Sequence, residues 1–212
     1  MTFEQAAAVP IAGLRALQGL RRGGLRNREQ VQPAPKVLIN GAGGGVGTFA
    51  VQMAKAFGAE VTGVCSAGKV EMVRALGADH VIDYTKENFT KSGQRYDLIF
   101  DCVANHSLSA FRRVLRIQGN YIMVGAADGG GRWMRGVLFR LMGAMALSCL
   151  GSKRRVMVGA KISKEDLTIL GELLETRKIT PVIDQGYRLR ELPEAIRYLE
   201  TGHARGKVVI TL

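Results

Sequence analysis

The chain has 212 residues, 47% of them hydrophobic, which is enough for one large domain or one domain with a fragment of a second. Three scattered cysteines, Cys65, Cys102 and Cys149, argue against a disulfide frame, and the longest apolar run, between Gly136 and Leu150, is too short and is broken by Arg140, which argues against a membrane span. A net charge of +12 favours anionic partners, but aromatics make up only 6% and do not interleave with the charges, which argues against a nucleic-acid stacking platform.

In chain order, Met1–Pro10 carries no basic run ahead of its apolar residues, unlike a secretory leader, so a cytoplasmic protein with reduced thiols is expected. Thr2-Phe3-Glu4-Gln5 has the form of a capping box and predicts a helix that Pro10 interrupts or restarts before "IAGLRALQGL". Residues 23–35 form a polar connector with Gly23, Gly24, Pro33 and Pro35, in a region that also holds Arg21, Arg22, Arg26 and Arg28. Val37-Leu38-Ile39 is a continuous apolar run suited to a strand covered on both faces. From Val46 the apolar positions Phe49, Ala50, Met53, Ala54 and Phe57 make a helical stripe, and Gly58 stands where a C-terminal cap belongs.

The alternation then repeats. "EVTGVC" predicts a strand, "KVEMVRAL" a helix ending at Gly77, and "HVID" a short strand. "YDLIFDCV" is a strand, "SLSAFRRVLRI" a helix, and "GNYIMVGA" a strand. Residues 127–152 read as irregular or partly helical and "RRVMVGA" as a further strand. No acid occurs between Asp128 and Glu165, and the basic residues there read first as a solvated face. "SKEDLTILGELLETR" predicts a helix capped by Ser163. A helix from Leu192 and a strand Lys207–Leu212 close the chain. Strands alternating with helices imply α/β architecture with a doubly wound parallel sheet.

The chemistry concentrates in "NGAGGGVG", where five of the seven residues from Gly41 to Gly47 are glycine. A strand, a glycine turn and a helix start make an anion site, because backbone N–H groups converge there and the helix dipole favours negative charge. The fingerprint is Ala42-x-Gly44-x-x-Gly47: Ala42 at the tight turn, Gly44 where a pyrophosphate approaches, Gly47 where the helix meets the strand. A triphosphate loop needs Lys before the Ser or Thr that follows its last glycine, and Thr48 follows Gly47 directly. An NAD site usually places an acid at the end of the second strand, whereas this chain has Cys65-Ser66-Ala67-Gly68-Lys69. A hydroxyl and a cation suit a 2′-phosphate, so NADP(H) is expected over NAD(H).

Taken together, "EQAAAVPIAGLRALQGL", "KVLINGAGGGVGTFAVQMAKAFGAEVTGVCS", "LGADHVIDYTKENF", "YDLIFDCV", "GNYIMVG" and "ELPEAIRYLETGHARGKVVITL" resemble the medium-chain dehydrogenase/reductase superfamily, and most of all its zinc-independent quinone oxidoreductase branch. The resemblance implies a Rossmann-type coenzyme domain over residues 1–185, opened by a docking helix, and a C-terminal segment over 186–212 that returns to the catalytic domain. It implies that Ala42, Gly44, Gly45, Val46 and Gly47 form the pyrophosphate turn. Ser66, Lys69 and Tyr84 match positions holding the adenosine 2′-phosphate. Cys102 and Val103 match backbone passing the nicotinamide ribose, Val124 and Gly125 match the next strand end, and Arg205 matches a cofactor contact from the C-terminal segment.

The implied activity is hydride transfer from NADPH to a quinone or an α,β-unsaturated carbonyl, in a homo-oligomer. The chain departs from the family's pattern in two ways. Met1 falls where an N-terminal GroES-like domain should already have ended, and the turn that usually reads Leu-Thr-Ala reads Leu14-Arg15-Ala16. His80, His106 and His203 are isolated, no pair has metal-ligand spacing, and no metal is expected. No proton donor is named. "WMRGVLFRLMGAMAL" is expected to line the substrate side of the cleft or an oligomer interface, with an ordinary core helix as the bland reading. "KVVITL", otherwise an unpaired edge, is expected to repack or to pair between subunits. An NADP(H)-binding module without turnover stays open beside the reductase, and nucleic-acid binding through the basic face is the weakest reading.

Overall fold

The computed structural model describes residues 1–26, 33–125 and 160–212. The Met-rich stretch, the "RRVMVGA" strand and the middle of the polar connector lie outside them.

The capping box forms: Thr2 Oγ1 accepts from the Gln5 N–H at 3.2 Å and Gln5 Oε1 accepts from the Thr2 N–H at 3.0 Å, opening α1 (Phe3–Ala8). Pro10 is the first residue of α2 (Pro10–Arg22), where its missing N–H costs nothing. A Cβ at Gly19 would stand 2.5 Å from the Phe100 ring, so this glycine lets α2 lie directly on the sheet.

Five strands form that sheet: β1 (Lys36–Asn40), β2 (Glu60–Cys65), β3 (His80–Asp83), β4 (Tyr96–Asp101) and β5 (Leu115–Met123). All neighbours are parallel, in the order β3-β2-β1-β4-β5. The continuous apolar runs are explained by cover on both faces. Val37, Ile39, Leu98, Phe100 and Ile122 join the core under α2 and α3 (Gly47–Ala56). Leu38, Ile99, Tyr121 and Met123 join a second core with Phe89 and Phe111, the latter from α5 (Leu108–Val114). Between β2 and β3 run a single 3-10 turn (Ala67–Lys69) and α4 (Val70–Ala75). Gly58, at φ 79°, ends α3 as expected, donating to the Lys55 carbonyl.

Two elements differ from the sequence reading. The helix expected to run to Ile117 stops at Val114 and β5 begins at Leu115. Tyr96 pairs with Leu115 and Arg116 donates to the Asp97 carboxylate at 2.9 and 3.0 Å, so sheet pairing overrides local helix preference. The second difference is β6 (Ile183–Arg188), whose polar text gives no strand alternation. It pairs in parallel with β7 (Lys207–Thr211), so the final strand is paired within the chain. Between them, α7 (Leu192–Glu200) leaves Leu192, Ile196 and Leu199 exposed on one stripe.

α6 (Lys164–Glu175) starts where Ser163 Oγ accepts from the Asp166 N–H. Gln18 of α2 fixes it, donating to the Lys161 carbonyl at 2.6 Å and to Asp166 at 2.7 Å, and Arg21 pairs with Asp166 at 2.5 Å. On the other side, buried Gln52 exchanges two hydrogen bonds with the Thr180 backbone. The β6–β7 unit meets the sheet through residues next to Gly206: its N–H donates to the Gly43 carbonyl at 3.1 Å, and Gly44 and Gly206 form a bridge.

Candidate functional site

In a parallel sheet the loops after the strands gather at the carboxyl edge, and a crevice opens where chain order reverses. Here β1 leads to β2 on one side and β4 leads to β5 on the other, so the reversal lies between β1 and β4. A cavity of about 570 Å³ opens at this point, within the roughly 300–1,000 Å³ usual for small-molecule sites. Among the described residues no Asp or Glu lines it.

The glycine turn forms one wall. The Gly41 and Ala42 N–H groups donate to the Val64 carbonyl at 3.0 and 2.9 Å, and the Gly44 N–H donates back to the Gly41 carbonyl at 3.1 Å. This tight fold requires φ of 86° at Gly41. A Cβ at Gly47 would lie 2.1 Å from the Gly41 carbonyl oxygen, so only glycine lets α3 start against β1. Gly44 is different. Its φ is not in the left-handed region, and a Cβ there would meet only the Gly41 oxygen, at an ordinary 3.5 Å. The protein itself does not demand glycine at 44, yet the residue lines the cavity at the start of α3, where the Thr48 N–H donates to the Gly44 carbonyl at 3.0 Å and the helix dipole favours negative charge. The space left there suits a ligand that approaches the backbone closely and carries negative charge.

Beyond the turn, Ser66, Lys69 and Tyr84 line one end. The Lys69 stem lies across Gly43, its Cδ 2.6 Å from where a Cβ would stand, and its Nζ donates to the Ala204 carbonyl at 2.7 Å. Burial lowers the Lys69 pKa; Asp184 opposes that shift and Arg205 adds to it. Arg205 stands outside the cavity wall, its Nη2 3.8 Å from the Cβ position of Gly68, while its N–H donates to Asp184 at 2.9 Å. Burial and Asp83 raise the Cys65 thiol to about 11, which makes it a poor nucleophile at neutral pH.

The other end is built from the loops after β4 and β5, where Cys102, Val103, Val124 and Gly125 line the wall. Asp101, fully buried, holds it in place. Its Oδ1 accepts from Asn40 Nδ2 at 2.9 Å and from the N–H groups of Val103 and Ala104 at 3.0 and 2.9 Å; its Oδ2 accepts from the Tyr121 hydroxyl at 2.7 Å. This grip keeps Ala104 at φ 59°, a conformation costing a non-glycine residue roughly 1–2 kcal/mol. Gly125 cannot carry a side chain, since a Cβ would meet the Cys102 carbonyl at 2.7 Å. Burial and Asp101 push the Cys102 thiol up, so it too stays protonated.

Eleven of the thirteen residues expected at a cofactor thus line one cavity. Ala42 is buried beneath the turn and Arg205 stands behind Gly68. Sequence reasoning missed Asn40, Asn105 and the Thr201–His203 segment, which also line it. The signal for the first was present: "VLIN" and "LIFD" each end a buried apolar run on a polar residue, and Asn40 and Asp101 are bonded to each other. Arg15, noted in sequence as a departure, lines the same cavity. His106, half-buried, packs its ring against Phe89 and Phe111, and no cluster of three His, Cys, Asp or Glu able to hold a metal occurs among the described residues.

A family model described as zinc-binding dehydrogenase matches residues 76–210. Among curated relatives, the bovine (Bos taurus) mitochondrial NAD(P)H oxidoreductase RTN4IP1 is 35% identical over 241 residues, covering 100% of this chain and 56% of its own length. The chloroplastic quinone-oxidoreductase QR1 of Triphysaria versicolor is 35% identical over 210 residues, covering 97% of this chain and 61% of its own. The quinone oxidoreductase from Coxiella burnetii superposes with a TM-score of 0.78 at 29% identity, covering 100% of this chain and 62% of that one. The chain therefore spans rather more than half the length of these relatives. It belongs to the zinc-binding dehydrogenase family, within the medium-chain dehydrogenase/reductase superfamily.

Proposed function

We propose that the chain is the coenzyme half of an NADPH-preferring oxidoreductase that reduces a quinone or an α,β-unsaturated carbonyl. The observation that carries this reading is the acid-free end of β2, where Ser66 and Lys69 line the same cavity as the glycine turn. An Asp or Glu there would bind the ribose hydroxyls of NAD and repel a 2′-phosphate; a hydroxyl and a cation do the reverse. Tyr84 borders this end, and Arg205 adds positive charge behind it. The turn from Ala42 to Gly47 would hold the pyrophosphate, and Cys102, Val103, Val124 and Gly125 would flank the nicotinamide and its ribose.

A nicotinamide cofactor bound here supplies a hydride. The chain's own part is to bind, to orient and to limit water. The Asp101 network fixes the Cys102–Asn105 loop, and Gly125 lets the β5 loop close on the Cys102 backbone. Both cysteine thiols stay protonated, so neither serves as a covalent nucleophile on this reading. His80, His106 and His203 do not converge, and no cluster able to hold a metal occurs among the described residues. The relatives named as quinone-oxidoreductase and NAD(P)H oxidoreductase support the substrate and cofactor classes. A tomato (Solanum lycopersicum) relative named 2-methylene-furan-3-one reductase, 34% identical, supports the unsaturated carbonyl. No helix among the described residues is long and apolar enough to cross a membrane.

Titration of the chain with NADPH and NADH, followed by turnover with a quinone, tests the reading. Tighter binding of NADPH and quinone-dependent NADPH oxidation above the solution background are expected. NADPH binding without turnover would instead support a binding module, and tighter NADH binding would overturn the role given to Ser66 and Lys69.

A further inference from the structure

Arg15 lies in α2, most of whose residues are buried in the core, yet it lines the cavity. Its Nε is buried and has no hydrogen-bond partner among the described residues. A buried guanidinium donor without an acceptor is costly, and in folded proteins such groups are nearly always satisfied. Lys207, the first residue of β7, is a second unpaired cation close by. Its stem packs against the turn, with Cδ 2.9 Å from where a Cβ of Gly45 would stand. Burial lowers the Lys207 pKa, and the positive charge of Arg15 lowers it further. Among the described residues neither cation has an ion-pair partner. The remaining residues, 27–32 and 126–159, contain only two acids, Glu29 and Asp128.

The position of the pair narrows the anion. Arg15 acts electrostatically on Cys102 on one side and on Lys207, behind Gly45, on the other. Arg15 lines the cavity together with the glycine turn and the Cys102–Val103 loop, and the Lys207 stem lies against Gly45. The Ser66–Lys69 end is a separate cationic group, whose electrostatic neighbours are Asp184, Cys65 and Arg205. Resting on the dinucleotide reading above, we propose that Arg15 recognises the pyrophosphate of the bound dinucleotide, with Lys207 adding charge from behind the turn. The diphosphate is the charged part that such a ligand places midway between its ends, and a guanidinium offers it paired donors. The long cation that replaces a small hydroxyl in "LRA" then has a binding role.

The test measures affinity without turnover. Equilibrium dissociation constants for 2′-phospho-ADP-ribose, which carries the pyrophosphate, and adenosine 2′-monophosphate, which lacks it, are compared in the wild type and in Arg15→Met, Arg15→Gln and Lys207→Met. Thermal unfolding confirms that each variant folds, and the Gln variant stands in if Met does not. Loss of one charge-assisted contact predicts about a tenfold to hundredfold weaker binding of 2′-phospho-ADP-ribose in the Arg15 variants and a smaller loss in Lys207→Met, with adenosine 2′-monophosphate changed by about twofold at most. Unchanged affinity for both ligands, or equal losses on both, would overturn the role of Arg15 while leaving the dinucleotide reading intact. A wild type that binds neither 2′-phospho-ADP-ribose nor NADPH would remove both.

Discussion

The two ends of the cavity are built by different means. The Ser66–Lys69–Tyr84 end presents side chains: a hydroxyl, a cation and a phenol on short segments after β2 and β3. The Cys102–Gly125 end presents mainly backbone, shaped by a buried carboxylate that never reaches the ligand space. On the proposed reading the first end selects by charge and the second by shape. A substitution at the first should change which ligand binds, whereas one at the second should change how firmly the wall stands. The glycine turn joins them, and its glycines serve unlike purposes.

The largest effect is expected where both ends fail together. Gly47→Ala places a Cβ 2.1 Å from the Gly41 carbonyl oxygen, which only backbone movement relieves. A loss of about 3 kcal/mol or more in unfolding free energy is expected by chemical denaturation, with binding lost as well. Asp101→Asn should strike the second end alone. It removes a charge that four donors converge on and sets an amide N–H against one of them, costing about 2 kcal/mol. Its preference between NADPH and NADH should remain. Lys69→Met should do the opposite: stability within about 1 kcal/mol of wild type, but discrimination between NADPH and NADH reduced about tenfold in titrations.

Gly44→Ala separates the glycines most sharply. Its Cβ meets the protein at ordinary contact distance, so unfolding free energy should move by less than about 1 kcal/mol while cofactor affinity falls. An unchanged affinity would mean that the ligand does not approach the turn there. The smallest effect is on pH. Burial lowers the pKa of both Lys69 and Lys207 from the usual lysine value of 10.5. Only the protonated lysines attract phosphate, so affinity is full below their lowered pKa values and falls as pH rises through them. The decline should therefore begin at lower pH than for an exposed lysine, and it should shrink in Lys69→Met.

Much of this was legible in the sequence because it rests on local rules. The β1–turn–α3 unit follows from "VLIN", the glycines and the helical stripe; the acid-free end of β2 is five consecutive residues, Cys65 to Lys69. β6 was not legible, since "IDQGYR" has no apolar alternation and is a strand only because β7 pairs with it. The early start of β5 likewise depends on β4. Asp101 could be seen as a polar end to an apolar run, but its role as acceptor for Asn40, Val103, Ala104 and Tyr121 needed residues distant in sequence to meet. Arg15 was visible as an odd residue in a familiar stretch, and only its burial without a partner among the described residues turned that oddity into a candidate anion contact.

On the proposed reading the Ser66–Lys69 end selects the phosphorylated dinucleotide. Parallel fluorescence titrations of the chain with NADPH and NADH at fixed ionic strength test it most directly. NADPH should bind at least about tenfold more tightly, a difference expected from one or two charge-assisted contacts to the 2′-phosphate. Equal affinities, or tighter binding of NADH, would contradict it.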